Sequence, residues 1–516
     1  MAAKQLGIII LAAGRGTRMR SDRAKVLHTI AGKPFVVSVV ETAAALVPTR
    51  LAVVVGHEAA EVERVCAAHL ARQPIAGGTT SYPRQIEQRG TGDAVRAAEA
   101  VFAGFDGDVL ILYGDVPGLK AATLGALVEQ HRASGATLSL LTSEAEDPTG
   151  YGRIVRGPNG RLRGIVEERD LEPADRAIRE INPGIYCARA GFLWRALARL
   201  RADNVQREYY LTDIVAMAVE AGEVVETRSV PDAGEVAGIN SREDMAVLEQ
   251  RARRDLVERW MRAGVTFRDP ATAYLEEDVT IGSDTEIGPN VQLLGRTAVG
   301  RSCVIDGTAV LRDASLGDGV HLRLGVVMTE CEVGPGAIVG PFAHIRPGSV
   351  LAAGVHIGNF VETKKAKIGR GTKANHLTYL GDCEIGAGTN IGAGTITCNY
   401  DGFAKHRTVI GDRVQIGSDT QLVAPVTVGD DAYVGAGTTV TVDVPAGGHL
   451  VVSRVPQRTI AGWVARKRAG VVNEPAPSAV TPAPRKTVRA KKRTPKRKVV
   501  AARGAARAQG GRRGKR

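Results

Sequence analysis

The chain has 516 residues, enough for two or three domains that each bury a core, and its 61 glycines with only 4% aromatics point to a turn-rich, repetitive segment. Six scattered cysteines (Cys66, Cys187, Cys303, Cys331, Cys383, Cys398) show neither metal spacing nor disulfide density, which excludes a disulfide scaffold and predicts a reducing compartment. The formal charge of +13 is concentrated in fifteen Lys or Arg, with no acid, from Arg485 to Arg516, so the body is near neutral.

The first predicted element is a buried strand over Leu6 to Ala12. Its apolar run is short and is followed by arginines, unlike a signal peptide, and no stretch approaches the ~20 apolar residues of a membrane span. A cytoplasmic protein with no membrane span is expected. The strand runs into Leu11-Ala12-Ala13-Gly14-Arg15-Gly16-Thr17-Arg18-Met19, with Lys25 soon after. A tight glycine turn bearing fixed positive charge suits a triphosphate, because backbone N–H groups can approach its oxygens closely. The pattern is neither a Walker nor a Rossmann loop, and a plain strand-to-helix turn is the alternative reading.

Further strands are predicted at Arg50 to Val55, Val109 to Tyr113 and Thr137 to Leu141. Amphipathic helices at Glu58 to Leu70, Thr91 to Phe102 and Leu124 to Arg132 alternate with them, giving an α/β domain with a mostly parallel sheet over residues 1–240. A Glu-, Arg-, Leu- and Ala-rich pattern from Arg242 to Arg262 reads as one connecting helix, a linker over 241–263.

From residue 264 the period becomes six. Aliphatics recur at Ile281, Ile287, Leu293, Val299, Ile305 and Leu311, at Val333, Val339, Ile345, Leu351 and Ile357, and at Ile410, Ile416, Leu422, Val428, Val434 and Val440. This is the hexapeptide pattern of a parallel β-helix, with one inward aliphatic per short strand, predicted over 264–464. The register slips between Ile357 and Ile368, Ile368 and Ile385, and Ile391 and Ile410. Each slip should bulge or loop out, and the slipped stretches hold Glu362, Lys364, His376, Tyr379, Asn399 and Tyr400. The remaining segment, 465–516, is a basic tail too poor in aromatics to fold, expected to be disordered and to make at most weak, non-specific polyanion contact.

The glycine-rich string resembles the signature of sugar-1-phosphate nucleotidyltransferases, which have a Rossmann-like α/β domain. The repeats resemble those of the acyltransferases built on a left-handed β-helix. From Leu6 to Trp463 the two halves together resemble the GlmU-type family of bifunctional enzymes. The likeness rests on Lys25-Val26-Leu27-His28, Tyr113-Gly114-Asp115-Val116-Pro117, Gly150-Tyr151-Gly152-Arg153-Ile154, Glu208-Tyr209-Tyr210-Leu211-Thr212-Asp213, His376-Leu377-Thr378-Tyr379-Leu380-Gly381-Asp382 and Asn390 to Asp401. Pro183, Thr363 and Asn375 depart from the family pattern.

The resemblance implies acetylation of glucosamine-1-phosphate by acetyl-CoA, then uridyl transfer from UTP to N-acetylglucosamine-1-phosphate. It implies Mg²⁺ on Asp115 and Asn240, phosphate stabilisation by Arg18 and Lys25, and nucleotide binding by Leu11, Ala12, Ala13, Gly14, Gln85, Gly90 and Thr91. Gly152, Glu167 and Asn182 would hold the sugar. In the second half it implies His376 as general base, with Glu362 a candidate to orient it, and Arg346 and Lys364 on the sugar phosphate. Tyr379, Asn390, Asn399 and Tyr400 would surround the sugar, Ala393 would serve the oxyanion, and Ser418, Ala436 and Arg454 would contact coenzyme A. A homotrimer with shared acetyl sites is implied too. Two other readings use the same domains: a single-activity nucleotidyltransferase with a regulatory β-helix, and a non-catalytic assembly subunit.

Overall fold

A computed structural model of the chain describes residues 5–453 and 457–470; Arg454 and the basic tail from residue 471 lie outside the described residues. Among the described residues, 5–453 form one compact unit and 457–470 belong to another. Within the latter, the described residues include the short helix Trp463–Arg468.

The strand Leu6–Ala12 is the axis of a ten-stranded sheet, flanked in parallel by Arg50–Val55 and Asp108–Tyr113. Its side chains alternate between two cores: Ile8, Ile10 and Ala12 pack on one face of the sheet, Ile9 and Leu11 on the other. Burial on both faces is why the segment reads as an unbroken apolar run. Parallel pairing extends outward to Thr79–Ser81. Beyond Asp108–Tyr113 the sheet changes character. Tyr186–Arg189 runs antiparallel to both its neighbours, and Glu180–Asn182, Gly152–Arg156 and Leu162–Val166 continue antiparallel. The expected parallel pairing thus occupies the half that carries the glycine-rich loop, with one further parallel pair, Val225–Ser229 on Leu138–Glu144, in the other half. The five residues between Arg156 and Leu162 are too few for a parallel crossover, so that pair must be a hairpin.

The connecting helix spans Arg242–Arg262 and begins with a capping box. Ser241 Oγ accepts from Asp244 N (3.1 Å), and Asp244 Oδ2 accepts from Ser241 N (2.9 Å). Its buried Leu248, Leu256 and Val257 join Met19, Ile30 and Phe35 in one apolar cluster continuous with Val265, Phe267 and the solenoid interior. The hairpin Thr29–Pro34 is wedged in the same place: Ala31 N donates to Glu249 Oε2 (2.8 Å), and Ala31 O accepts from Glu277 N (2.9 Å).

The period-six region is a parallel β-helix of 26 strands from Thr266–Phe267 to Leu450–Val451, each coil pairing with the next. Every aliphatic of the three periodic blocks is buried in it. Two of the three register slips resolve differently from expectation. The slips at Ile357 to Ile368 and Ile368 to Ile385 do not loop out; each becomes a strand of 13 residues, His356–Ile368 and Lys373–Ile385, that runs through the corners. The ladder pairing between the two strands continues across corners at which Phe360, Lys365, Leu377 and Asp382 take positive φ. Only the third slip is an excursion. Ile385 pairs with Ile410, 25 residues on, whereas Ala374 pairs with Ile391 after 17. Period-six counting from Ile391 sees 19 residues, a slip of one, and conceals the length of the insertion.

Ile357 lies wholly inside the solenoid between Val339 and Ala374. Ile357→Ala should cost ~2–5 kcal/mol, read as a lower denaturant midpoint, because stacked coils cannot close over the lost methylenes.

Candidate functional site

The strand Leu6–Ala12 ends in the glycine-rich loop, and an open cleft of about 370 Å³ forms around it. Leu11, Ala12, Ala13, Gly14, Lys25, Gln85, Gly90, Thr91, Asp115 and Asn240 all line this cleft, together with Gln88, Tyr113 and Glu208, for which the sequence reading had no role. Gln88 has no motif to announce it; it donates to Ala13 O (2.8 Å) and ties the second loop to the first. Gly16 has φ of +66°, and a Cβ there would lie 2.5 Å from Lys25 Cβ, so glycine lets the lysine stem cross the loop. Gly90 has φ of +109°, with the Tyr209 carbonyl 2.7 Å from where a Cβ would stand.

Four polar side chains converge at the mouth. Arg18 donates to Asn240 Oδ1 (2.9 Å), Lys25 Nζ donates to the same oxygen (3.3 Å), and Lys25 also pairs with Asp115 Oδ2. Asn240 is placed by the helix cap, since its backbone N–H donates to Asp244 Oδ2 (2.8 Å). A carboxylate and an amide oxygen that share one ammonium partner point at a common position that a cation can occupy. The pair is all oxygen, which suits a hard divalent ion, and too few to enclose it, so phosphate oxygens and water must complete the shell. No cluster of three or more His, Cys, Asp or Glu fit for a metal occurs among the described residues.

Gly152, Glu167 and Asn182 do not line the cleft but stand behind Tyr113. A Cβ on Gly184 would strike the Tyr113 ring at 2.5 Å, and Gly184 N donates to Asn182 Oδ1 (3.1 Å). Asn182 donates to Tyr186 Oη (2.6 Å), and Thr212 Oγ1 donates to Glu167 Oε1 (3.0 Å). A Cβ on Gly152 would lie 3.5 Å from Glu167 Oε2. Burial pushes Glu167 above the usual carboxylate range, with Asp170, Asp213 and Glu208 adding to it.

A second cluster lies on the solenoid, and its partners follow from the stacking register. In the strands His356–Ile368 and Lys373–Ile385, Asn359 sits under His376, Glu362 under Tyr379 and Lys364 under Gly381. The imidazole Nδ1 is 2.8 Å from Asn359 Oδ1. An amide oxygen only accepts, so in the neutral imidazole Nδ1 carries the proton and Nε2 the lone pair. Glu362, expected to orient His376, instead accepts from Arg346 (2.6 Å), because three residues along the strand separate it from the position beneath the imidazole. Sequence spacing alone could not have found Asn359.

Lys364 stands near Lys405 and Arg346, whose positive charges hold it below the usual lysine range, with Asp382 opposing them. Three cations crowded together make a site for an anion. Lys405 was missed by the sequence reading, although it lies inside the third slipped stretch. Asn399 donates to Asp382 Oδ2 (2.6 Å), and the Tyr400 hydroxyl donates to Gly402 O (2.6 Å). Asn390 lies on another face, between Lys373 and Gln415 of adjacent coils.

One corner of the solenoid carries the remaining residues as a ladder. Gly394 N donates to Leu377 O (3.0 Å), Asp419 N to Ala393 O (2.7 Å), and Gly437 N to Ser418 O (2.8 Å). His376, Ala393, Ser418 and Ala436 therefore stand at successive levels, ~14 Å from first to last at about 4.8 Å per coil.

The chain resembles known proteins in both halves. A MobA-like NTP transferase domain matches residues 8–214, and a bacterial transferase hexapeptide (six repeats) matches residues 407–441. It is 47% identical to the bifunctional protein GlmU of Pelobacter propionicus, over 90% of this chain and 99% of that protein. The GlmU of Geobacter sulfurreducens is 48% identical at the same coverage. That of Mycolicibacterium vanbaalenii is 48% identical over 90% of this chain and 94% of its own.

Beside Glu167, burial and the nearby Asp203 and Asp170 push the Asp213 carboxyl up to about 6 from an ordinary value near 3.8. The folded state then binds this proton more tightly than the unfolded chain, so the contribution of Asp213 to stability falls as pH rises from about 4 to about 6 and levels off above. Asp213→Asn should raise the unfolding temperature at pH 7 and leave it unchanged near pH 3.5, measured by calorimetry at both values.

Proposed function

The chain belongs to the family of bifunctional GlmU proteins, and from that premise we propose that each of its two clusters carries one transfer reaction. It acetylates the amine of glucosamine-1-phosphate from acetyl-CoA, then transfers UMP from UTP to N-acetylglucosamine-1-phosphate and releases pyrophosphate. The observation that carries the dual reading is the solenoid cluster. A purely regulatory β-helix has no need to align an imidazole with a free Nε2, three crowded cations and a ladder of small residues on one corner. A non-catalytic assembly subunit would have no need for the convergence of Arg18, Lys25, Asp115 and Asn240.

In the cleft the sugar-phosphate oxygen attacks the α-phosphorus of UTP, the bond to the β-phosphate oxygen breaks, and pyrophosphate leaves. Positioning and charge neutralisation do most of the work in such a displacement. Leu11 to Gly14, Gln85, Gly90 and Thr91 hold the nucleotide, with Arg18 and Lys25 on its phosphates. Gly152, Glu167 and Asn182 receive the sugar, where buried carboxylate and amide oxygens suit its hydroxyl and N–H groups. Nucleotidyl transfer in this family calls for a divalent metal, which we assign as Mg²⁺ on Asp115 and Asn240, where it would offset phosphate charge when bound.

On the solenoid Arg346, Lys364 and Lys405 take the phosphate of glucosamine-1-phosphate, with Tyr379, Asn390, Asn399 and Tyr400 around the sugar. His376 Nε2 removes a proton from the amine, and Asn359 fixes the tautomer that leaves this nitrogen basic. The amine nitrogen attacks the thioester carbon, the Ala393 N–H faces the oxyanion, and the thiol of coenzyme A leaves. The corner ladder from Ala393 through Ser418 to Ala436 suits an extended pantetheine arm; the coenzyme A contact of Arg454 falls outside the described residues. A homotrimer with shared acetyl sites is supported by another corner feature: exposed Phe342 and Phe360 stack at 5.8 Å, with exposed Leu324 and Leu377 in line. We place the enzyme in the cytoplasm. No helix among the described residues is long and apolar enough to cross a membrane.

The test is to supply glucosamine-1-phosphate, acetyl-CoA, UTP and Mg²⁺ and omit each in turn. Asp115→Ala should abolish uridyl transfer and spare acetylation. His376→Ala should lower acetylation by ~10²–10⁴ and spare uridyl transfer. Near wild-type acetylation by His376→Ala at neutral pH would remove the proposed base. Asn359→Ala should lower kcat for acetylation, though less than His376→Ala does, and leave KM for glucosamine-1-phosphate in place, whereas an Asn359 with no role in orienting the imidazole would leave kcat unchanged.

A further inference from the structure

The excursion between Cys398 and Thr408 brings Lys405 to the solenoid face, yet its tip buries nothing: Phe403 is 98% exposed. Without apolar packing, the ordering of the extra residues must rest on polar contacts. Those contacts centre on one carboxylate. Asp401 Oδ1 accepts from Phe403 N (2.8 Å) and Ala404 N (2.7 Å), and Oδ2 is 2.7 Å from the His406 ring. Around it the backbone closes, with Asp401 N donating to Ala404 O (3.2 Å), His406 N to Asn399 O (2.8 Å), and Tyr400 bridging antiparallel to Lys405. Lys405 therefore sits one residue beyond the turn and one before His406, both ends of that short stretch being held by Asp401.

Such a restraint has a clear purpose. Lys364 and Arg346 already occupy the site and repel a third cation, so Lys405 left on a free loop would swing into solvent before any anion arrived. We propose that Asp401 is a positioning residue for acetyl transfer: it ties the excursion so that Lys405 is held beside Lys364 and Arg346, preorganising the site for the phosphate of the amino-sugar substrate. Asp401 itself does not touch the substrate. The inference rests on the reading of this face as the glucosamine-1-phosphate site.

The experiment uses the full chain and steady-state acetylation with glucosamine-1-phosphate varied. Asp401→Ala should raise KM by ~10-fold or more with kcat within ~3-fold, because binding and not chemistry is disturbed. Asp401→Asn should recover most of the loss, since an amide oxygen still accepts from Phe403 and Ala404. Uridyl transfer and the unfolding temperature should match wild type in both variants, which excludes misfolding. Combined with Lys405→Ala, Asp401→Ala should add no further rise in KM, because both changes remove the same contact. An unchanged KM in Asp401→Ala, a fall in kcat alone, or additive effects in the double variant would overturn the positioning role. A wild-type protein that does not acetylate would instead overturn the underlying reading.

Discussion

Parallel stacking of the solenoid coils is the constraint on which the second half of the molecule depends. Each inward aliphatic lies on one from the previous coil, and the backbone hydrogen bonds between coils leave no freedom to slide. Once that register is set, so is every side-chain pair on the outer faces. His376 meets Asn359 because 17 residues separate them, and Glu362 is carried to Tyr379 and Arg346 instead. The corner ladder has the same origin. Residues far apart in sequence come to stand one above another because a coil has closed between them.

The cleft in the first half is organised by a different device. Two short loops leave the carboxyl ends of adjacent parallel strands, and a third segment reaches them from the start of the helix Arg242–Arg262. That helix shares an apolar cluster with the solenoid's first coils and with Met19 of the glycine-rich loop. Asn240 thus belongs to the cap of an element that also anchors the β-helix. Displacing that helix would disturb the oxygen pair formed with Asp115 before it altered the sheet.

The electrostatics of the two clusters differ in kind. In the cleft, Lys25 is paired with Asp115 and Arg18 contacts an amide oxygen, so positive charge is stored beside groups that can exchange it for a metal and a triphosphate. On the solenoid, Lys364, Lys405 and Arg346 crowd one another, with Arg346 tied to Glu362 and Asp382 the nearby counter-charge. An anion entering there relieves repulsion and gains attraction together, and the structure tolerates the strain because the cations extend from a rigid stack into solvent.

Much of this was legible in the sequence. The period-six aliphatics determined a β-helix, since no other architecture buries one residue in six. The unbroken run Leu6 to Ala12 with its glycine-rich continuation determined a two-faced central strand feeding a phosphate-sized loop. The helix Arg242–Arg262 was readable from its Glu-, Arg-, Leu- and Ala-rich composition, and the capping box that starts it came from the structure. What only the tertiary structure decided was partnership. The excursion before Ile410 showed in the sequence only as a one-residue slip, and its length was hidden because periodicity reports position within a repeat and not how many residues have passed. Asn359 and Lys405 carry no local signature, and each becomes a site residue only when the coil that brings it close has been laid down. The antiparallel half of the sheet likewise depends on which strands find one another, a choice made by connection length and packing, whereas apolar pattern records only that each strand is buried.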